Sequence, residues 1–356
     1  MSDWPDRRIL ELFGIENPIL LAPMAGFGTP ALASAVAEAG GLGALASATI
    51  TPEQARADIA AYRALTAKPL NLNFFCHRPP QPDPARDAAW RARLAPYYRD
   101  LGLDPDMPLS ASSREPFNDA FLAVVEALRP EIVSFHFGLP ARRLLDRVRA
   151  TGAKVISSAT TVAEARFLEA EGCDAIIAQG AEAGGHRGMF LTEDVASQVG
   201  TFALVPQVVD AVGVPVIAAG GIADARGVVA ALALGASAVQ IGTAFLFAPE
   251  AKVAPPHRRA LDRTAADETA ITNVFTGRPA RGVVNRLMRD VGPLSADAPA
   301  FPLAGGAVAP LRAATEPQGS GDFMPLWSGQ AARLARPMPA GDLVRMLAAE
   351  AVARLG

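Results

Sequence analysis

The chain has 356 residues, of which 50% are hydrophobic and 19% are charged, and its formal net charge is −3. This size allows one large domain or two smaller ones, and the slightly acidic balance argues against nucleic acid as a partner. No run of about 18 uninterrupted apolar residues could span a membrane, and the charged beginning lacks the apolar segment of a signal peptide. The two cysteines, Cys76 and Cys173, lie far apart without metal-ligand spacing. We therefore expect a cytoplasmic protein with free thiols, no metal site and no membrane association.

Short runs rich in Val, Ile, Leu and Ala recur along the chain, each followed by a helical pattern. Their apolar residues are continuous rather than alternating, which is typical of strands covered on both faces. The eight runs are residues 18–24, 43–48, 69–75, 132–138, 154–160, 175–180, 215–221 and 238–245. Amphipathic segments separate them, and in one of these Thr51 is placed as an N-cap with Pro52 at the first helical position.

Part of this pattern repeats. Residues 152–180 resemble residues 213–243, and each copy contains a strand, a helix and a second strand. Eight strand–helix units with an internal repeat favour the α/β class and a (β/α)8 TIM barrel. A doubly wound open sheet is the alternative, but it rarely needs eight such units.

Two regions fall outside the pattern. Residues 76–116 are rich in proline and charge and follow the third strand as a long insertion, while residues 249–356 carry no strand signal. Loops of such length in a compact protein usually cover a site. We therefore predict a barrel over residues 1–248 and a mainly helical extension over residues 249–356 that folds across one mouth of the barrel and covers the substrate.

Glycines follow the last two predicted strands. The segments "AAGGI" and "QIGTA" place Gly220, Gly221 and Gly242 where barrel enzymes hold a phosphate. Glycine lets the backbone N–H groups approach a ligand closely, and a helix N-terminus adds positive potential. Two such segments on adjacent strands predict a phosphate-bearing ligand.

Three amides, Asn73, Gln179 and Gln240, lie in runs that should be buried. A buried amide without partners costs about 1–3 kcal/mol, so each must satisfy neighbouring backbone or bind a ligand. For one amide the backbone role is the simpler interpretation. Because all three converge on the same barrel mouth, we favour binding to the polar edge of a flat heterocycle.

Six motifs in order resemble class I of the nitronate monooxygenase family: "PILLAPMAG", "NLNFFCHRP", "VSFHFG", "AQGAEAGGHRG", "VIAAGGI" and "SAVQIGTAFL". They run from about residue 17 to 248. The segment "DFMPLWSGQAARLAR", residues 322–336, is similar to the family's C-terminal end. The resemblance implies an FMN-binding barrel that oxidises alkyl nitronates with O2 to carbonyl compounds and nitrite, and it leaves neutral nitroalkanes open as substrates.

The resemblance also implies site residues. The Pro23–Met24 backbone should lie beside the flavin ring, and the family's other flavin contacts match Asn73, Gln179, Gly184, Gly221, Gln240, Ile241, Gly242 and Thr243. His186 matches the family's catalytic histidine, and the glycines before it let the chain pass close to the flavin. An imidazole titrates near neutral pH, so it can take a proton from a nitroalkane; with a nitronate it would orient the nitro oxygens. His136 is the second candidate catalytic residue and would face the substrate; the alternative is a hydrogen-bonded core histidine.

One part of the sequence departs from the family. Related proteins often shape the substrate pocket with tyrosines and a lysine from their C-terminal part, whereas the tyrosines here are Tyr62, Tyr97 and Tyr98. His257, Phe301 and the small-residue run "LAGGAVAP" stand where those groups are expected. We therefore predict a roomier and more apolar substrate pocket.

Three other functions stay open at this point. The nearest is an FMN-barrel reductase that passes hydride from NAD(P)H to a quinone or an enoyl thioester. A flavin-free sugar-phosphate lyase would need a Schiff-base lysine, but Lys154 lies at the N-terminal end of its strand. A non-catalytic flavin carrier would not need the two histidines. The sequence leaves open whether the protein is a monomer or a homodimer.

Overall fold

Residues 4–109 and 114–356, which the computed structural model describes, form eleven strands. These are β1 (Ile19–Leu21), β2 (Gly43–Ala46), β3 (Leu70–Phe75), β4 (Ile132–His136), β5 (Lys154–Ala159), β6 (Ala175–Gln179), β7 (Gly185–His186), β8 (Val216–Ala219), β9 (Ala238–Ile241), β10 (Thr269–Thr272) and β11 (Ala280–Val283). The helices are α1 (Arg8–Phe13), α2 (Pro30–Glu38), α3 (Pro52–Leu65), α4 (Pro84–Asp100), α5 (Asp119–Leu128), α6 (Arg142–Ala150), α7 (Val162–Ala170), α8 (Thr201–Val209), α9 (Ala225–Ala233), α10 (Pro255–Arg263), α11 (Arg286–Val291), α12 (Ala304–Thr315) and α13 (Ala340–Leu355). Within this described part of the chain, no helix is long and apolar enough to cross a membrane.

Eight parallel strands form the main sheet in the order β1-β9-β8-β6-β5-β4-β3-β2. The sheet closes between its two ends, because Leu20 forms a parallel bridge with Leu42. Each of the eight runs predicted from the sequence contains one of these strands. The structure therefore confirms the (β/α)8 TIM barrel and excludes the open doubly wound sheet.

The continuous apolar runs are explained by burial on both sides of the sheet. Every residue of β1, β6 and β8 is buried, because the strands pack against the helices outside and against one another's side chains inside. The helix after β2 begins as its sequence predicts, since Thr51 and Gln54 form a capping box and Pro52 occupies the first turn.

The predicted insertion after the third strand contains α4, which packs against α12 from the C-terminal region. Trp90 on α4 donates its Nε1–H to the carbonyl of Ala304 at 3.1 Å, and the hydroxyl of Tyr98 donates to the carbonyl of Ala307 at 2.6 Å. A separate hydrophobic cluster that includes Trp90, Leu94 and Phe323 joins the two regions. The insertion and the C-terminal region thus form one structure beside the barrel.

The predicted mainly helical extension also contains two short strands, for which the sequence showed no signal. β10 and β11 pair antiparallel, and β11 pairs in turn with β7 in the glycine-rich loop after β6. Both strands are four residues long, and β11 has the sequence "ARGV". They lack the continuous apolar run of a barrel strand, because their pairing depends on contact with the distant β7 rather than on burial of both faces.

The sequence analysis predicts that the whole of residues 249–356 folds across the barrel mouth. The last helix, α13, does not. α13 packs between α2 and α9 on the outside of the barrel, and residues such as Leu343, Val344 and Leu347 join the main core. Since β9 and β1 are neighbours in the sheet, this is the position of the eighth barrel helix. The helix that completes the barrel therefore follows residues 249–339 in the chain.

Candidate active site

A cavity opens at the carboxyl ends of the barrel strands, where the sequence analysis places the site. Its lining includes most of the residues singled out from the sequence: Pro23, Met24, Asn73, His136, Gln179, Gly184, His186, Gly221, Gln240, Gly242 and Thr243. Ile241 is the exception, because its side chain points into the core and is 1% exposed. The structure thus brings together residues from β3, β4, β6, β8 and β9 around one space.

His186 lies on β7 and lines the cavity. β7 is held by pairing with β11, where His186 is opposite Ala280. Its ring atom Nε2 lies 2.9 Å from Oγ1 of Thr276, which belongs to the turn between β10 and β11. Its ring atom Nδ1 has no hydrogen-bond partner within the described residues and is therefore the ring nitrogen left for a ligand.

His136 supports the main chain of His186. Its Nε2 lies 3.1 Å from the carbonyl oxygen of His186, and its Nδ1 lies 3.1 Å from Oγ of Ser158. Because a carbonyl can only accept, Nε2 carries the hydrogen and Nδ1 accepts from the Ser158 hydroxyl. Both ring nitrogens thus have protein partners, although the ring also lines the cavity.

The three amides have different roles. Gln179 donates to the carbonyl of His186 at 3.0 Å and accepts from the backbone N–H of Gly188 at 2.7 Å, so the glycine-rich loop engages both ends of its amide. Asn73 donates to Oγ of Ser134 at 2.9 Å. Gln240 keeps a buried Oε1 that has no partner within the described part of the chain. Of the three amides, Gln240 is therefore the one whose unpaired oxygen most clearly calls for a hydrogen-bond donor on a ligand.

Both cavity histidines are neutral at pH 7. Burial is the main cause that lowers the pKa of His186 well below 6.5, and the positive charges of Arg114 and Arg278 add to it, as do His136 and His77. Burial likewise lowers the pKa of His136 to about 3. A neutral imidazole has a lone pair, so His186 can accept a proton.

The cavity carries a positive charge that the sequence analysis missed. Arg114, at the end of the insertion, is the one charged side chain among the described residues that line it. Its guanidinium carbon lies 6.0 Å from the centre of the Phe301 ring, and a Cβ at Gly305 would lie 4.0 Å from its Nη1. The small-residue run that begins α12 therefore leaves room for an arginine, and the pocket is not wholly apolar.

Aromatic rings close the space around His186. Its ring centre lies 5.4 Å from that of Phe301, 5.5 Å from that of Trp327 and 5.9 Å from that of Phe75. His257 lies outside the cavity lining, buried, with its Nε2 2.9 Å from the carbonyl of Trp327. Apolar rings thus surround much of the imidazole.

Thr276, Arg114, Ser158 and Trp327 were not found from the sequence. Arg114 and Trp327 line the cavity from segments far from the barrel strands, and Thr276 contacts a histidine 90 residues away. Ser158 had a local signal, since it is a polar residue near the carboxyl end of a predicted strand. Trp327 lies in the segment 322–336 that resembles the family's C-terminal end, but its place in the cavity was not predicted. Arg114 and Thr276 had no signal, because only the folded chain brings them to the site.

The residues present fit a phosphorylated flavin. Gly221, with φ +72°, and Gly242 both line the cavity, and no acceptor in the described residues takes their backbone N–H groups. Such N–H groups suit a phosphate. The orphaned Oε1 of Gln240 suits an N–H group of a heterocycle. At Gly184 a Cβ would lie 2.5 Å from the backbone nitrogen of Gly329, so only glycine allows the two segments to meet there.

Comparisons with known proteins point to one family. The sequence model of the nitronate monooxygenase family matches residues 6–350. A nitronate monooxygenase of Pseudomonas aeruginosa is 45% identical over 96% of this chain and 98% of its own length. The structure of a nitroalkane oxidase from Streptomyces ansochromogenes is similar, with a TM-score of 0.87, 42% identity and 98% of both chains covered. FabK from Thermotoga maritima is less similar, with a TM-score of 0.73 and 30% identity over 98% of this chain and 96% of that chain.

The family match covers nearly the whole chain, and the matched region contains every residue that lines the cavity. The chain therefore belongs to the nitronate monooxygenase family and is a flavin-dependent oxidoreductase.

Proposed function

We propose that the protein binds FMN and oxidises alkyl nitronates with O2 to carbonyl compounds and nitrite. The observation that carries the proposal is a neutral His186 facing a cavity whose one charged lining residue, within the described chain, is Arg114. A nitronate is an anion, and the positive charge of Arg114 in the cavity attracts it. A bound flavin would supply the electron acceptor for the nitronate and pass electrons on to O2.

The remaining residues have distinct tasks in this proposal. Gly221, Gly242 and Thr243 hold the phosphate, while Gln240 and Asn73 hold the heterocycle. Gln179 and His136 keep the carbonyl of His186 in place. The proposal thus assigns His136, which the sequence analysis places among the catalytic residues, to positioning.

The test is to purify the yellow protein, identify the released cofactor by chromatography, and add propyl-2-nitronate in air. We expect FMN, O2 consumption and release of nitrite. The His186→Asn variant should keep FMN and lose turnover of neutral nitroalkanes, because it lacks the group that accepts their proton. A protein that releases FAD, or that leaves nitronate unchanged, would contradict the proposal.

The reductase remains the alternative, and the same preparation separates the two. Rapid anaerobic bleaching by NADH, together with no turnover of nitronate, would favour a reductase that uses a quinone or an enoyl thioester.

A further inference from the structure

Thr276 makes the one protein hydrogen bond to the His186 ring within the described residues. It lies in the turn between β10 and β11 and is 1% exposed. Its Oγ1 is 2.9 Å from Nε2 of His186, 3.3 Å from the carbonyl oxygen of Arg278 and 3.5 Å from the backbone nitrogen of Arg278. These three contacts determine where the hydroxyl hydrogen points.

A threonine hydroxyl has one hydrogen and two lone pairs. The carbonyl of Arg278 can only accept, so it takes the Thr276 hydrogen, while the backbone N–H of Arg278 can only donate and occupies one lone pair. The remaining lone pair faces Nε2 of His186. If the hydroxyl donated to His186 instead, the carbonyl of Arg278 would lose the donor that the described structure gives it.

The turn itself is fixed. The backbone N–H of Gly277 donates to the carbonyl of Asn273 at 2.7 Å, and Gly277 has φ +87°. The Asn273 side chain donates to the carbonyl of Ser295 at 2.9 Å and accepts from the backbone N–H of that residue at 2.9 Å. Thr276 therefore holds its place without help from His186.

We propose that Thr276 fixes His186 in the tautomer that carries its hydrogen on Nε2, so that Nδ1 is the atom that meets the substrate. The tautomer follows from the hydrogen bonds alone, whereas its catalytic meaning rests on the proposed function. With a neutral nitroalkane, the C–H bond breaks, the proton forms a bond with Nδ1, and the electron pair stays on the nitronate group. Thr276 is thus a positioning residue.

The tautomer can be measured directly in the FMN-loaded protein, because the chain has only four histidines. With 15N-labelled histidine, NMR separates protonated from unprotonated ring nitrogens, and His186→Asn identifies the signals of His186 by their loss. We expect a neutral ring with hydrogen on Nε2 and a bare Nδ1. A ring with hydrogen on Nδ1 would overturn the proposal, and this measurement needs no variant of Thr276.

Two variants test whether Thr276 is the cause. Thr276→Ser keeps the hydroxyl and should keep the tautomer. Thr276→Val removes the hydroxyl and should give a mixture of both tautomers. FMN content reports whether each variant folds; if Thr276→Val does not, Thr276→Ala is the substitute. An unchanged tautomer in a folded variant without the hydroxyl would show that Thr276 does not set it.

Activity gives a separate readout. Thr276→Val should lower kcat/KM for a neutral nitroalkane by about tenfold or more, because a misdirected base transfers protons poorly, and should change nitronate turnover little. A merely structural role would lower both equally. If the protein turned over no nitronate at all, the proposed function would fail while the NMR result on the tautomer would stand.

Discussion

His136→Phe separates support of the His186 loop from direct chemistry. Phenylalanine keeps an aromatic ring where the centre of the His136 ring lies 4.6 Å from that of Phe137 and 5.6 Å from that of Phe75. It removes both hydrogen bonds of the imidazole, one from the Ser158 hydroxyl and one to the carbonyl of His186. Packing is thus largely retained while the polar support is lost.

The expected loss of stability follows from these two bonds. Each contributes about 0.5–1.5 kcal/mol net, so the free energy of unfolding should fall by about 1–3 kcal/mol. The carbonyl of His186 still accepts from Gln179, which limits the effect. Because the chemistry stays with His186, turnover of a neutral nitroalkane should fall by less than about a hundredfold, below the loss typical of a missing general base.

Urea unfolding with saturating FMN gives the stability, and nitrite release gives the turnover. Gln179→Leu is the matched variant, since it removes the other donor to the same carbonyl. The double variant should lose more stability than the sum of the single ones, because it leaves that carbonyl without a donor. A loss of turnover of about a thousandfold with unchanged stability would refute this reasoning and make His136 a catalytic residue.

Three other predictions concern the charge, the histidines and the glycine contact. Arg114→Met should raise KM for a nitronate and weaken its dependence on salt, because the positive charge in the cavity is lost; an unchanged salt dependence would argue against attraction by Arg114. Burial lowers the pKa of His257 to about 4, so below pH 6.5 the folded state binds fewer protons than the unfolded chain and stability falls as the pH drops. This costs about 2 kcal/mol at pH 5, and His257→Gln should reduce the slope of unfolding free energy against pH; the same slope as in the parent would show that His257 does not cause it. Gly184→Ala should lower FMN content, because its Cβ would lie 2.5 Å from the backbone nitrogen of Gly329, whereas Gly213→Ala, where the nearest atom is 3.6 Å away, should not. Equal FMN content in the two variants would contradict the steric argument.

The barrel could be predicted from the sequence because burial on both faces leaves a direct mark. The eight barrel strands are continuous apolar runs, and each coincides with a predicted run. β10 and β11 could not be found this way, since they are short and pair with a distant strand. The place of α13 was also missed. Its own residues do not indicate that it is the eighth barrel helix, because 98 residues (242–339) separate it from β9.

The cavity lining shows the same difference between local and distant signals. Glycines and amides at strand ends are recognisable, because the ends of parallel strands meet at one mouth. The contacts of each amide were not predictable, and Gln179 proved to be engaged by the loop that carries His186. Arg114 and Thr276 reach the site from segments without any periodic pattern, so only the folded chain reveals them.

The position of α13 has a consequence for how the chain folds. The apolar strip between α2 and α9 is covered by Leu343, Val344 and Leu347, which lie far along the chain from both helices. Long-range contacts of this kind slow folding and leave apolar surface exposed in intermediates. A chain therefore cannot finish its barrel until α13 has been synthesised. Residues 249–339 are for the same reason a closed loop tethered at both ends to the barrel, and the segment that carries Thr276 and Trp327 to the cavity is not a free tail.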